Sequence, residues 1–185
     1  AGGLGSLPCA MLSHDALKRE LVTMRESSAQ PYNLNFFCHT PPQPDAARET
    51  VWRDALRPYF VEFGIDPDSI PAGPGRVPFD ETAAELLAEF KPPVLSFHFG
   101  LPSPALLARV RAWGAKVLSS ATTLEEARWL EARGVDLIIA QGVQAGGHRG
   151  MFLSEALATQ SDTLGLVAQI VREVRVPVVA AGGIA

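Results

Sequence analysis

From Val94 to Gly183 the chain repeats one unit: a strand-length apolar run, a turn, then a helix-length amphipathic stretch. The runs are Val94–Phe99, Ala115–Ser119, Val135–Ala140 and the stretch from Val176 into Gly182-Gly183. Strands alternating with helices at this spacing specify a parallel sheet covered by helices, wound with right-handed crossovers. The helices carry boundary signals. Ser103 with Pro104 makes an N-cap followed by proline at the first helical position. Thr123 with Glu126 reads as a capping box, and Gly114 and Gly134 read as helix ends. The first of these helices is expected to bury Leu106, Val110 and Trp113. The second runs through Leu124, Ala127 and Leu130. A third, around Leu164 to Val174, is expected to turn Val167, Ile170, Val171 and Val174 inward.

Before Val94 the same grammar is looser. An apolar segment spans Leu4 to Leu12, and Asp15 to Ser27 reads as a helix with Leu17, Leu21 and Met24 on one face. Pro31 to Cys38 is a strand that Pro41-Pro42 closes off. Ala46 to Phe63 is a helix carrying Val51, Ala55, Tyr59 and Phe63; Asp66 to Pro78 is a loop rich in Pro and Gly; Glu81 to Phe90 is a short helix. The count is six strands, where a closed (β/α)8 barrel needs about eight. The expected fold is therefore an α/β TIM (β/α)8 barrel, incomplete in this chain with about six β/α units, forming a single partial domain over residues 1–185. Gly2-Gly3 reads as the end of a helix whose body is absent, and the chain stops abruptly at Ala185, so the outer units are expected to be missing. A doubly wound open sheet would call for Gly-x-Gly-x-x-Gly after its first strand, and the sequence has none.

Hydrophobic residues make up 47% and charged residues 19%, enough for one core and typical of a globular chain. The net charge of −4, with no basic stripe, argues against nucleic acid as a partner. The apolar runs are too short to cross a bilayer, and no leader-like pattern opens the chain. Cys9 and Cys38 lie in or beside apolar runs and read as reduced and buried, which fits a cytoplasmic protein.

In a barrel of this kind the carboxyl ends of the strands converge on one rim. Those ends are Asn35 to His39, Phe97 to Gly100, Ser119 to Thr122, Gln141 to His148, and Gly182-Gly183. They are poor in carboxylates, which argues against a two-carboxylate mechanism. No Cys/His spacing suits zinc, so no metal is expected, and there is no Gly-Lys-Ser/Thr phosphate loop. Amides, hydroxyls, glycines and histidines remain, an inventory suited to holding a planar cofactor that does the hard chemistry itself. In Gln144-Ala145-Gly146-Gly147-His148-Arg149-Gly150 the paired glycines admit close backbone approach, and His148 can exchange a proton near neutral pH. Gly182-Gly183 is either a simple turn or a phosphate cradle built from backbone N–H groups. His39 and His98 flank aromatics, either lining a pocket or packed at strand ends. Phe36, Phe37, Phe97 and Phe99 read as core, and Arg149 as a solvated surface side chain.

The same residues carry a resemblance. Ala145-Gly146-Gly147-His148-Arg149-Gly150, Asn35 within Asn33-Leu34-Asn35-Phe36-Phe37, Ser96-Phe97-His98-Phe99-Gly100-Leu101-Pro102 and Ala180-Ala181-Gly182-Gly183-Ile184-Ala185 together resemble the nitronate monooxygenases, formerly called 2-nitropropane dioxygenases. The likeness runs through nearly the whole chain and is strongest from Val94 onward. The Gly-Gly-His turn is shared with flavin-dependent enoyl-acyl-carrier-protein reductases, whereas the Phe97 to Pro102 stretch favours the nitronate enzymes. The resemblance implies FMN at the carboxyl-terminal rim of a TIM barrel, with His148 as catalytic base. It implies cofactor binding by Asn35, Ser120, Gln141, Gly146, Gly147, Gly182 and Gly183. Some relatives have Lys at the position of Ser120 and Asp at that of Gln141. Two family elements are not found in the sequence: a first strand with its Pro-Met turn, and a last strand with a phosphate-binding Gly-Thr. The reaction implied is oxidation of an alkyl nitronate by O2 to a carbonyl compound and nitrite, with no nicotinamide cofactor. The alternatives are an enoyl-thioester reductase using FMN with NAD(P)H, and a barrel fragment without turnover.

Overall fold

The computed structural model describes residues 2–71 and 75–184. Ala1, Ala185 and the 72–74 part of the expected loop lie outside the described residues. Contacts divide the chain into two units, one formed by residues up to His39 and from Arg76 onward, the other by Thr40–Gly75.

The larger unit holds six strands: β1 (Gly5–Pro8), β2 (Tyr32–Phe37), β3 (Val94–His98), β4 (Lys116–Ala121), β5 (Leu137–Gln141) and β6 (Val178–Ala181). They pair in chain order and every pairing is parallel. Sequential parallel order is what repeated right-handed β/α winding produces, and the result is a partial (β/α)8 barrel. Its helices are α1 (His14–Ser27), α3 (Glu81–Phe90), α4 (Pro104–Ala112), α5 (Leu124–Ala132) and α6 (Thr163–Glu173), while α2 (Ala46–Glu62) belongs to the smaller unit. Side-chain N-caps come from Ser13, Asp80, Ser103, Thr123 and Asp162, each accepting a first-turn backbone N–H.

Strand alternation divides the sheet into two faces. Leu34, Phe36, Leu95, Phe97, Val117 and Ile138 share one face, buried in a single core with Leu21 of α1, Leu87 of α3, Val110 of α4, Leu130 of α5 and Ile170 of α6. In α4 the buried pair is Leu107 and Val110, not the expected Leu106 and Trp113, which are half-buried; the Trp113 indole N–H instead donates to the Pro92 carbonyl at 3.1 Å. In α6 the inward stripe is Thr163, Leu166 and Ile170, continued by Val174 at the C-cap, leaving Val171 exposed. Thr163 was hidden from an apolar-period reading because it is polar, and its hydroxyl has partners described below.

The smaller unit contains α2 (Ala46–Glu62) and a 3-10 turn (Pro67–Ser69). Asp45 caps α2 by accepting from the Arg48 N–H, and Arg53 joins helix to turn through the Pro67 carbonyl at 2.7 Å. No residue of α2 is buried. Val51, Tyr59 and Phe63 are exposed, as are Trp52 and Val61, so the apolar residues are spread around the helix and do not form one inward stripe. Among the described residues, no helix is long and apolar enough to cross a membrane.

Candidate active site

The face of the sheet opposite the core carries Asn33, Asn35, Ser96, His98, Ser120 and Gln141. Register places Asn35 beside Ser96, Phe37 beside His98, and Gln141 beside Ala181. Parity therefore puts Asn35, His98, Ser120 and Gln141 on one face, toward the carboxyl ends of their strands. Ser96 is the hub of the lower row. Its hydroxyl oxygen accepts from the side-chain amides of both Asn33 and Asn35 at 2.8 Å, and Asn33 also donates to Ser6 at 2.8 Å. With its N–H2 group committed to Ser96, Asn35 keeps its amide oxygen as an acceptor. Asn33 is 7% exposed, and its Oδ1 has no partner among the described residues. One level higher, His98 Nδ1 and the Ser120 hydroxyl lie 3.0 Å apart.

The loop after β5 folds back over this row. Gln141 fastens it at two points: its amide N–H2 donates to the His148 carbonyl at 3.0 Å, and its amide oxygen accepts from the Gly150 N–H at 2.7 Å. Arg149, half-buried, closes the same loop by donating to the Val143 carbonyl at 2.8 Å. The His148 ring is exposed at this rim, edge-on to Phe37 (5.2 Å between centroids) and Phe99 (5.9 Å). Phe99 also meets His98 at 4.5 Å and His39 at 6.0 Å. Its φ of +67° is a conformation that costs a side-chain-bearing residue about 1–2 kcal/mol. Three histidines thus gather around Phe37 and Phe99, two rings that sequence reading had assigned to the core. The Nδ1 atom of His39 is buried without a partner among the described residues.

The two paired-glycine turns meet. Gly182 follows β6 with φ of +116°, and a Cβ there would lie 2.6 Å from the Ala145 nitrogen; one on Gly183 would lie 2.7 Å from Gln144 Cβ. Only glycine allows this approach. Thr163 bridges the contact, its hydroxyl 2.9 Å from Gln144 Oε1 and 2.8 Å from the Gly182 carbonyl oxygen. Gly146 and Gly147 have open space where a Cβ would be.

Glu126, expected as the second half of a capping box, has a different part, set by contacts that the sequence does not mark. Thr123 does accept from the Glu126 N–H at 3.2 Å, but the carboxylate does not return to Thr123. One oxygen accepts from the Thr122 N–H and hydroxyl at 2.7 and 2.8 Å; the other accepts from the Phe152 and Leu153 N–H groups at 2.6 and 3.1 Å. Glu126 is 1% exposed. Hydrogen bonds to a charged group contribute about 1.5–3 kcal/mol each, and four of them offset the burial of one carboxylate. The signal available beforehand was a Glu between two inward-facing apolar positions.

Burial pushes the His98 imidazole below its ordinary value; the charge of His148 acts the same way, while the His148 carbonyl and the Glu126 charge oppose it. Burial likewise pushes the Cys38 thiol up, out of the range where it would act as a nucleophile.

A glycine-flanked imidazole at the carboxyl rim, above a row of amide and hydroxyl groups, is the geometry against which relatives can be compared. The family model described as nitronate monooxygenase matches residues 1–185. The chain belongs to the nitronate monooxygenase family. It is 42% identical to the nitronate monooxygenase of Paraburkholderia phytofirmans over 188 residues, an alignment covering 100% of this chain and 50% of the relative. Among solved structures it is similar to nitroalkane oxidase from Streptomyces ansochromogenes, with a TM-score of 0.83 and 37% identity over 99% of this chain and 52% of the other. FabK from Thermotoga maritima is more distant, with a TM-score of 0.66 and 25% identity over 100% of this chain and 44% of the other. The chain spans about half the length of the curated nitronate monooxygenases it matches.

Proposed function

We propose that residues 1–185 contribute six β/α units to a single FMN-binding barrel domain of a cytoplasmic enzyme. Its activity is the oxidation of alkyl nitronates by O2 to carbonyl compounds and nitrite. The observation that carries this reading is that one loop brings His148 to the rim, meets Gly182-Gly183 and lays Gly150 against His98 and Ser120. Family membership adds the reaction class. The donor set fits FMN: acceptor and donor amides for a heteroaromatic edge, glycine N–H groups for a phosphate, and open space at Gly146 and Gly147.

In this reading Asn35 offers its amide oxygen, held in place by Ser96, and Ser120 offers its hydroxyl. The N–H groups of Gly146, Gly147, Gly182 and Gly183 are the backbone donors. Gln141 serves the site through the turn that it closes. FMN, when bound, supplies the electron transfer between nitronate and O2. The chain itself binds and orients the substrate. Phe37 and Phe99 present apolar surface to the alkyl group, with His39 and His98 lining the pocket beside them. A neutral nitroalkane must first lose its α-proton, and His148, exposed and without a partner at its ring nitrogens among the described residues, serves as the base that takes it.

The test is a visible spectrum of the purified protein, then nitrite release from propyl-2-nitronate in air. Flavin absorbance with nitrite release is the expected result; a colourless protein, or no nitrite, would overturn the reading. Rapid bleaching by NADH without oxygen would favour an enoyl-thioester reductase in its place.

A further inference from the structure

Glu126 stands outside the rim, on the first turn of α5, yet half of its hydrogen bonds go to the loop that carries His148. From the geometry we infer that Glu126 is a positioning residue for the proton-abstracting turn, and that an ionised carboxylate at this place sets where the His148 imidazole sits. The inference rests on the proposed role of His148 and extends it to a residue that touches neither substrate nor cofactor.

The loop between β5 and α6 has little regular structure of its own, only a 3-10 turn at Leu157–Thr159. A loop of this kind needs outside fixings to hold a side chain still. Before His148 the fixing is its contact with the Gly182-Gly183 turn. At His148 and Gly150 it is the Gln141 amide. Immediately beyond, at Phe152 and Leu153, it is Glu126. The Phe152 ring then packs against Trp129 at 5.0 Å and lies against Gly100, the residue after Phe99. Glu126 and Gln141 thus grip the turn from two different β/α units, and only three residues separate His148 from Phe152.

The carboxylate suits this task because it is an acceptor at both oxygens. Four donors converge on it from two chain segments. An amide in its place keeps one accepting oxygen and turns an N–H2 group toward a backbone N–H on whichever side it faces, so the four-donor clasp is broken. Glu126→Gln therefore separates positioning from bulk, since the side-chain volume hardly changes.

Two measurements test the inference. In the wild-type holoenzyme, hydrogen exchange at the Phe152 and Leu153 amides should be as slow as in β4 and β5, although neither residue lies in a strand or helix. Exchange at the rate of an open loop would overturn the proposal without any variant. In Glu126→Gln, turnover of neutral nitroethane should fall about 10- to 100-fold, the scale of a misplaced catalytic group. Turnover of preformed ethyl nitronate should stay within about threefold of wild type, because that substrate needs no proton removed. Glu126→Asp, with a shorter reach, should show the same split in milder form. Equal losses on both substrates would reduce Glu126 to a structural role. If the wild-type enzyme releases no nitrite at all, the proposed function fails, while the exchange measurement still decides whether Glu126 holds the loop.

Discussion

Gln141, the last residue of β5, holds His148 by its backbone: the Gln141 amide donates to the His148 carbonyl at 3.0 Å and accepts from Gly150 at 2.7 Å. One side chain therefore brackets the turn on both sides of Arg149. Leu in place of Gln141 keeps the approximate volume and removes both bonds. Two lost hydrogen bonds correspond to about 1–3 kcal/mol. Gln141→Leu should lower the unfolding midpoint modestly and raise hydrogen exchange across 146–150, measured by mass spectrometry. Unchanged exchange there would show that the bracket does not restrain the turn.

His148 is exposed, and its ring touches only Phe37 and Phe99 among the aromatic contacts of the rim. Replacing it with Asn should therefore leave fold and flavin content intact. A positioned base contributes about 10²–10⁴-fold, so His148→Asn should lose activity on neutral nitroalkanes by that order and far less on preformed nitronates. Paired nitrite assays with the two substrate forms measure this. Equal losses would remove proton abstraction from the role of His148.

Gly150 approaches the sheet so closely that a Cβ on it would lie 2.6 Å from His98 Cε1 and 3.1 Å from Ser120 Cβ. The ring cannot swing aside freely, since Phe37 and Phe99 flank it and Ser120 holds Nδ1. Overpacking of this kind costs about 1–3 kcal/mol. Gly150→Ala should be destabilised by that amount in urea unfolding and should bind flavin more weakly. Wild-type stability would mean that the loop can lift from His98 at no cost.

The strands and most of the helices were legible because their signals are local: apolar runs of strand length, N-caps such as Ser103 and Thr123, glycine stops at Gly114 and Gly134. The rim was legible because parallel strands all end on one side, so Asn35, His98, Ser120 and Gln141 needed only parity to share a face. What escaped was set by contacts distant in sequence. Glu126 reaches residues 26 and 27 positions away. Phe99 owes its place to a positive φ that no side-chain pattern encodes. For α2, the sequence marks the helix and its apolar residues Val51, Ala55, Tyr59 and Phe63, but Trp52 and Val61 on other sides leave no single stripe to say which face is covered.

Cys9 is buried and its thiol is pushed up to about 12 by that burial. The reacting species is the thiolate, and its share at pH 8 is then about 10³-fold below that of a free cysteine with a pKa near 8.5. Iodoacetamide at pH 8 should leave Cys9 unmodified in the native protein and label it promptly in urea. Prompt native labelling, read by peptide mass, would mean that β1 opens readily.

His98 links stability to pH. Burial, helped by the charge of His148, holds its imidazole below the ordinary value of 6.5; the His148 carbonyl and the Glu126 carboxylate pull the other way without overcoming it. In the unfolded chain the same ring takes a proton near pH 6.5. Between that value and the lower native one, the unfolded state binds more protons, so stability falls as pH drops. Above about pH 7 both states are neutral at this ring and the contribution is flat. The melting temperature should therefore fall as the pH drops below about 7, and the fall should be shallower in His98→Gln, which keeps a polar partner for Ser120 and cannot titrate. Parallel slopes in the two proteins would locate the acid sensitivity somewhere other than this imidazole.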